Sequence, residues 1–187
     1  MIMNPAVPIL LLVGGAIAWS VFRTAKAAVN LNYTILRFGI YRFATDGNLM
    51  LRLRVRFTNA QNTPLTINLF DIAAYLNSTY TYDSTGKINV QNRGDLLATL
   101  NDSTGFVISA NTFTDKDFYI TVRWADVGRY FLNNAVSIIT TIINADSIRD
   151  VIRAVIGRNV LIYGLVKAEN ISIPVVNVVQ LTDDTNN

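Results

Sequence analysis

The sequence predicts a mainly β domain, an antiparallel sandwich or barrel, behind an N-terminal membrane helix. Three observations carry that prediction. Residues 49–57, LMLRLRVRF, place Leu51, Leu53, Val55 and Phe57 between Arg52, Arg54 and Arg56, the period of two that a half-buried strand requires. Clusters of Asp, Asn, Ser, Thr and Gly cut the chain from 45 to 117 into strand-sized pieces, a spacing that suits a sandwich or barrel. The first 22 residues carry no charged side chain, which gathers part of the chain's 51% hydrophobic content at one end. The mean hydropathy of +0.31 therefore reports an anchor as well as a core.

The anchor comes first. Residues 6–22, AVPILLLVGGAIAWSVF, follow an equally uncharged MIMNP, and the combined run crosses a hydrocarbon core of about 30 Å at about 1.5 Å per residue. A secretory signal would carry a basic n-region and a shorter apolar run, so a retained transmembrane helix is expected. Pro8, Leu11, Leu12, Val13 and Phe22 lie in the span, and Trp19 suits the interfacial belt. Gly14 and Ala18 form a small-xxx-small pair that admits a second helix, with simple lipid packing as the plainer reading. Arg23 and Lys26 follow the span, so the positive-inside rule places the C-terminal domain on the cytoplasmic side of a single-pass protein. Residues 1–28 form the anchor and basic linker, 29–179 one domain, and 180–187 a loose polar tail.

Within the domain, 29–38 has strand composition and 39–43 continues it. A turn at Thr45, Asp46, Gly47 and Asn48 opens the alternating strand 49–57. Pro64 is tolerated at the start of the next extended run, 65–77. Strand candidates follow at 80–82, 87–91, 96–100, 105–109 and 117–124. The period then changes. Val127, Phe131, Ala135, Ile138, Ile139 and Ile142 recur at steps of three and four, as do Ile148, Val151, Ile152 and Val155, so two amphipathic helices are expected, although IITTII also reads as a buried strand. Asn144 or Asp146 caps the second helix and Gly157 ends it. Strand patterning returns at 161–167 and 171–179.

The blocks LRLRVRFTNAQNTPLTI (51–67), FVISANTFTDKDFYITVRW (106–124) and LIYGLVKAENISIPV (161–175), behind a near N-terminal span, resemble the LEA2 family, also called the water-stress and hypersensitive-response domain. The resemblance covers about residues 30 to 178. In that family Asn is usually followed directly by Pro, whereas here Asn59 and Pro64 are separated by a longer loop. The resemblance implies an immunoglobulin- or fibronectin-III-like antiparallel β-sandwich with a late helical insertion, tethered to a membrane. It implies no catalytic residues, and a role in stress protection or lipid handling.

Composition narrows the chemistry further. With no Cys and no His there is no disulfide framework, thiolate nucleophile, imidazole base or Cys-type zinc site. The only Glu is Glu169, and the twelve Asp fall mostly in expected turns. Asp71 alone sits in an apolar run, where a bulge or edge position with a hydrated carboxylate is the plainer reading than acid-base work. Asp115 with Asp117, or Asp183 with Asp184, offers oxygen ligands to Ca²⁺, but no spaced ligand loop surrounds either pair and hydrated turns are expected. GxSxG, Walker A and GxGxxG patterns are absent, so no cofactor and no enzyme activity is expected. Sequons at Asn32, Asn77, Asn101 and Asn170 are what this Asn/Ser/Thr content produces, and matter only in a luminal or extracellular domain.

Charge is unevenly placed. Residues 1–58 carry seven basic side chains against one acidic, net +6, and residues 59–187 carry nine against twelve, net −3. Arg23, Lys26, Arg52, Arg54 and Arg56 thus form a basic surface near the bilayer in sequence. It can face anionic lipid, an acidic protein or nucleic acid, or be a solvated face that discourages edge pairing. Nucleic acid is weakly supported, because the residues between the arginines are aliphatic. The leading expectation is a non-catalytic, membrane-anchored binding or scaffolding sandwich, with the bilayer and other protein chains of an assembly as partners. The alternatives are a minor structural protein joining the capsid and internal membrane of a virion, with the domain facing the capsid, and a lipid-binding domain.

Overall fold

A computed structural model describes residues 30–43, 48–122 and 156–185. The membrane-anchor residues, the turn at 45–47 and both expected helices lie outside the described residues. Among the described residues no helix is long and apolar enough to cross a membrane.

The described chain is built from strands: β1 (Leu31–Phe43), β2 (Leu49–Asn59), β3 (Leu65–Leu76), β4 (Thr79–Tyr82), β5 (Ile88–Asn92), β6 (Asp95–Asp102), β7 (Phe106–Ile108), β8 (Thr112–Val122), β9 (Asn159–Ala168), β10 (Ile171–Gln180) and β11 (Thr182–Asp183). They form a β-sandwich. One sheet has the order β11-β1-β2-β8, and the other the order β10-β9-β3-β6 with β7 beside the first residues of β3; β4 and β5 make a separate hairpin. All pairings are antiparallel except β1 with β11. β6 and β7 lie end to end along one edge of β3, with Phe70 opposite Asp102 and Ile67 opposite Phe106.

The alternation in β2 decides which way the first sheet faces. Leu49, Leu51, Leu53, Val55, Phe57 and Asn59 are buried, and the residues between them turn outward. Phe57 meets Phe70, Phe106 and Phe118, rings supplied by β3, β7 and β8, so four strands from both sheets share one aromatic centre. Gly164 in β9 stands opposite Ile72 of β3, where an added Cβ would lie 2.1 Å from the Asp71 carbonyl oxygen. A glycine inside a strand here marks a close approach of two backbones.

Two boundaries differ by more than two residues from those expected. β8 begins at Thr112 rather than 117, because Thr112–Lys116 pairs with Asn59–Val55 of β2 despite its polar composition. The tail expected to be loose from residue 180 is held through Asp184. Leu181 is buried, β11 pairs with Gly39 and Ile40, and the Asp184 N–H donates to the Ile40 carbonyl at 2.8 Å. Polar composition alone misses a segment whose partners lie about 140 residues away.

The sheets are also joined at one edge. The Tyr33 hydroxyl donates to the Pro174 carbonyl at 3.3 Å and accepts from the Val176 N–H at 3.2 Å. Those groups belong to the free edge of β10, where Pro174 removes no ladder bond. Burial raises the Tyr33 hydroxyl above the ordinary tyrosine range, partly offset by the Val176 bond. A raised acid favours its protonated form in the fold. Its contribution is complete below the unfolded tyrosine value and is lost as pH climbs through the folded one. Tyr33→Phe is therefore expected to lower stability by about 1 kcal/mol near neutrality and to flatten the alkaline loss above about pH 10. Urea midpoints of both chains across that range measure the two effects.

Candidate functional site

The outward side chains of β1, β2 and β8 form one charged face. In β2 the outward positions are Arg52, Arg54 and Arg56, as the alternation predicted, and the antiparallel register sets them opposite Tyr119, Asp117 and Asp115 of β8. Arg56 grips Asp115 with two parallel bonds, Nε to Oδ1 at 2.7 Å and Nη2 to Oδ2 at 2.9 Å, and stacks over Phe113 at 4.2 Å. The Arg56 hydrogen bond holds the Asp115 carboxyl below the usual range, and Asp115 in turn raises the guanidinium. Arg54 is looser, 3.7 Å from Asp117 and 4.0 Å from Asp115.

Arg52 is placed differently. Its Nη2 reaches Asp184 at 3.1 Å, and Arg37 of β1 reaches the other oxygen of the same carboxylate at 2.6 Å. Asp184 is fully buried, and Arg52 is 13% exposed at its side chain. The Arg52 Nε is buried with no hydrogen-bond partner. The space comes from Gly39, whose missing Cβ would stand 2.4 Å from Thr182 Oγ1 and 2.7 Å from Asp184 Cγ. Tyr41, an extra residue at a register shift in β1, sits 5.6 Å from the Arg52 guanidinium and 5.0 Å from the Tyr119 ring. Arg42, exposed at the end of β1, lies 5.9 Å from the Tyr41 ring and joins no ion pair among the described residues.

The three expected arginines are thus brought onto one face, and three aspartates that sequence reasoning set elsewhere answer them. Asp115 and Asp117, read as a hydrated turn or cation site, stand within β8 beside arginines. Their two-residue spacing mirrors that of Arg54 and Arg56, a signal readable only once the two strands are paired. Asp184 comes from the tail that was read as loose. Arg56 and Arg54 are matched by Asp115 and Asp117, Arg37 and Arg52 share the one carboxylate of Asp184, and Arg42 joins none of the three, so five arginines against three aspartates leave the face a surplus of two positive charges on its β1 side. Arg23 and Lys26 lie outside the described residues.

Other carboxylates serve the scaffold. Asp71 lies in β3, an interior strand rather than an edge, half-buried between Asn101 and Leu165. Asp83 and Asp102 accept hydrogen bonds from Thr85 and Thr104 in turns, which depresses both. Glu169, at φ +53° in the β9–β10 turn, accepts the Thr66 N–H through Oε1 at 2.9 Å.

No protein family and no curated protein sequence matches the chain. Its fold is similar to solved structures at low identity. A protein from Archaeoglobus fulgidus is 11% identical with a TM-score of 0.44, over 81% of this chain and 91% of that one. A structural-genomics target is 7% identical with a TM-score of 0.41, over 82% and 87%. The sporulation control protein Spo0M of Bacillus subtilis is 6% identical with a TM-score of 0.38, over 81% of this chain and 48% of that one. Likenesses at this level assign no activity.

Proposed function

We propose that the chain is a non-catalytic binding or scaffolding protein, an immunoglobulin- or fibronectin-III-like sandwich of the LEA2 kind held at a membrane by residues 1–28, and that it presents its charged face to an anionic surface. The observation that carries this reading is that surplus of two positive charges, with Arg42 outside any ion pair among the described residues and Arg54 only loosely held by Asp117, on the face that also carries the rings of Tyr41 and Tyr119. Basic groups near an anionic bilayer contribute about 1 kcal/mol each, roughly fivefold in affinity, and the effect fades with salt. The opposite end of the face, where Arg56 is matched by Asp115, is closed to such a partner by its own ion pair.

The full chain in neutral-lipid vesicles is expected to tether added phosphatidylserine vesicles at low salt, read by co-flotation. Arg42→Gln with Arg54→Gln should weaken tethering by roughly thirtyfold at unchanged melting temperature. Equal tethering by that double variant would end the reading. The aromatic packing around Phe57 supports a filled interior, and hence docking at the surface, over lipid carried between the sheets.

A further inference from the structure

The segment Thr182–Asp184 lies along the outer edge of β1. It makes the fold's single parallel pairing among the described residues, two residues long, on the edge of β1 away from β2. Four features of β1 and β2 recognise it. The Ile40 carbonyl accepts the Asp184 N–H, and the Phe38 carbonyl accepts the Thr182 hydroxyl at 3.1 Å. Gly39 supplies the hollow, and Arg37 with Arg52 clamps the carboxylate. Glycine inside a strand weakens it, and such a position is kept where another backbone comes close.

Three features describe how the segment is held. Its anchor is Leu181, buried and bonded at both N–H and C=O to the Arg158 carbonyl and the Gly157 N–H, so the chain is fixed up to that residue whether or not the next three dock. After Asp184 the backbone leaves in a turn in which Asp183 accepts from Thr185. The clamp is also unsaturated. The Arg52 Nε donor is buried and unused, so the carboxylate supplied in cis takes less than the two guanidiniums offer.

We propose that the edge of β1 at Phe38–Ile40 is a docking site for an extended acidic peptide segment of a partner protein, and that Thr182–Asp184 fills it in cis as a built-in competitor. The ligand is defined by what the site reads: a strand running parallel to β1, a hydroxyl side chain where Thr182 lies, a backbone N–H for the Ile40 carbonyl, and a carboxylate two residues after the hydroxyl. A lipid head group satisfies the arginines but uses neither carbonyl. The mode is strand addition to a sheet edge, in which main-chain bonds give affinity and side-chain pockets give specificity. Docking in cis and in trans exclude one another, so the apparent trans affinity is lowered by the fraction of chains whose own segment is seated. The site adjoins Arg54, which the register sets opposite Arg37, but it reads the edge of β1 rather than surface charge, and the inference goes beyond the vesicle reading above.

The test uses the full chain and a fluorescent peptide of sequence VQLTDDTNN, followed by anisotropy. Asp184→Asn keeps the side-chain shape and weakens the cis clamp, and is expected to bind the peptide at least tenfold more tightly than the unaltered chain. Adding Arg37→Gln, which removes one arm of the clamp at its more exposed side, should reverse the gain. Thr182→Ala loosens the segment through different contacts and should give a gain in the same direction, which keeps the test open if Asp184→Asn folds poorly. A scrambled peptide of equal charge should bind neither variant better than the unaltered chain. No gain with either variant, or equal gains for the scrambled peptide, would overturn the proposal. Neither result bears on tethering through Arg42 and Arg54.

Discussion

Asn59→Asp is expected to destabilise the domain by about 4 kcal/mol or more, because it reverses a buried hydrogen-bond donor. Asn59 closes β2 on its inward face and is fully buried. Its Nδ2 donates to the Thr63 carbonyl at 2.8 Å, the Ser109 carbonyl at 3.2 Å and the Ile108 carbonyl at 3.3 Å, and its Oδ1 accepts the Gln61 N–H at 3.1 Å. One amide therefore shapes the loop that leaves β2 and ties it to the chain between β7 and β8. A carboxylate there would keep the Gln61 bond and direct its second oxygen at three carbonyl oxygens. Asn59→Ala removes the repulsion along with the donor, leaving those carbonyls short of a partner at about 1–3 kcal/mol. The order of effects, Asp worse than Ala, separates a donor requirement from a simple loss of volume.

The same substitution carries a pH signature. Burial among carbonyls raises the pKa of the introduced carboxyl in the fold, so its protonated form is favoured there. Its deficit should be smallest below the unfolded carboxylate value, about pH 4, and should grow as pH rises through the folded one. Urea midpoints of Asn59→Asp and Asn59→Ala between about pH 4 and about pH 8 should converge at the acid end. Parallel curves would show that the second oxygen reaches water and that the loop opens at little cost.

Asn59 also shows how far the sequence could be read. The β2 strand was legible from period-two alternation, and so was the sharing of one face by Arg52, Arg54 and Arg56, since both are local properties of nine residues. The strand's extension to Asn59 was not, since the alternating run read from the sequence stops at Phe57. The cause is distant, because two of the three acceptors of the Asn59 amide lie 49 and 50 residues away, at the end of β7 and in the connection to β8. The charged face failed to read for the same cause. Arg56 and Asp115 are 59 residues apart, and Arg52 and Asp184 are 132 apart, so a basic strip seen in one strand was a half-neutralised lattice once the register was set. Local polarity misled where it was treated as a sign of exposure. Thr112–Lys116 is polar and is strand, and Asp184 is charged and fully buried. A sequence reports the period of an element well, and reports poorly the partner that makes a polar residue fit inside it.

Phe57→Ala is expected to be the most costly core change, about 3–5 kcal/mol, and it tests the filled interior on which a surface-docking function rests. Phe57 is completely buried, with ring centroids 5.2 Å from Phe106, 5.6 Å from Phe70 and 6.4 Å from Phe118, all in edge-to-face geometry. Phe70 and Phe118 stack at 4.6 Å, so removing Phe57 takes a side chain from beside a pair that supports itself across the sheets. The surrounding rings sit on strands tied into the two sheets, β3 on both sides and β7 and β8 on one, and cannot collapse far, which places the change toward the upper end of its range. Phe57→Leu, which restores most of the volume without the ring, should cost about 1–2 kcal/mol. A space opened there would be apolar and dry, and such cavities take up benzene or xenon. Phe57→Ala should therefore gain a few degrees of melting temperature in the presence of benzene, while the unaltered chain gains nothing. Equal stabilisation of the unaltered chain would mean that the sheets already enclose a space for an apolar ligand. The partner would then be sought between the sheets instead of on the arginine face, and the lipid-binding alternative would take precedence over the scaffold.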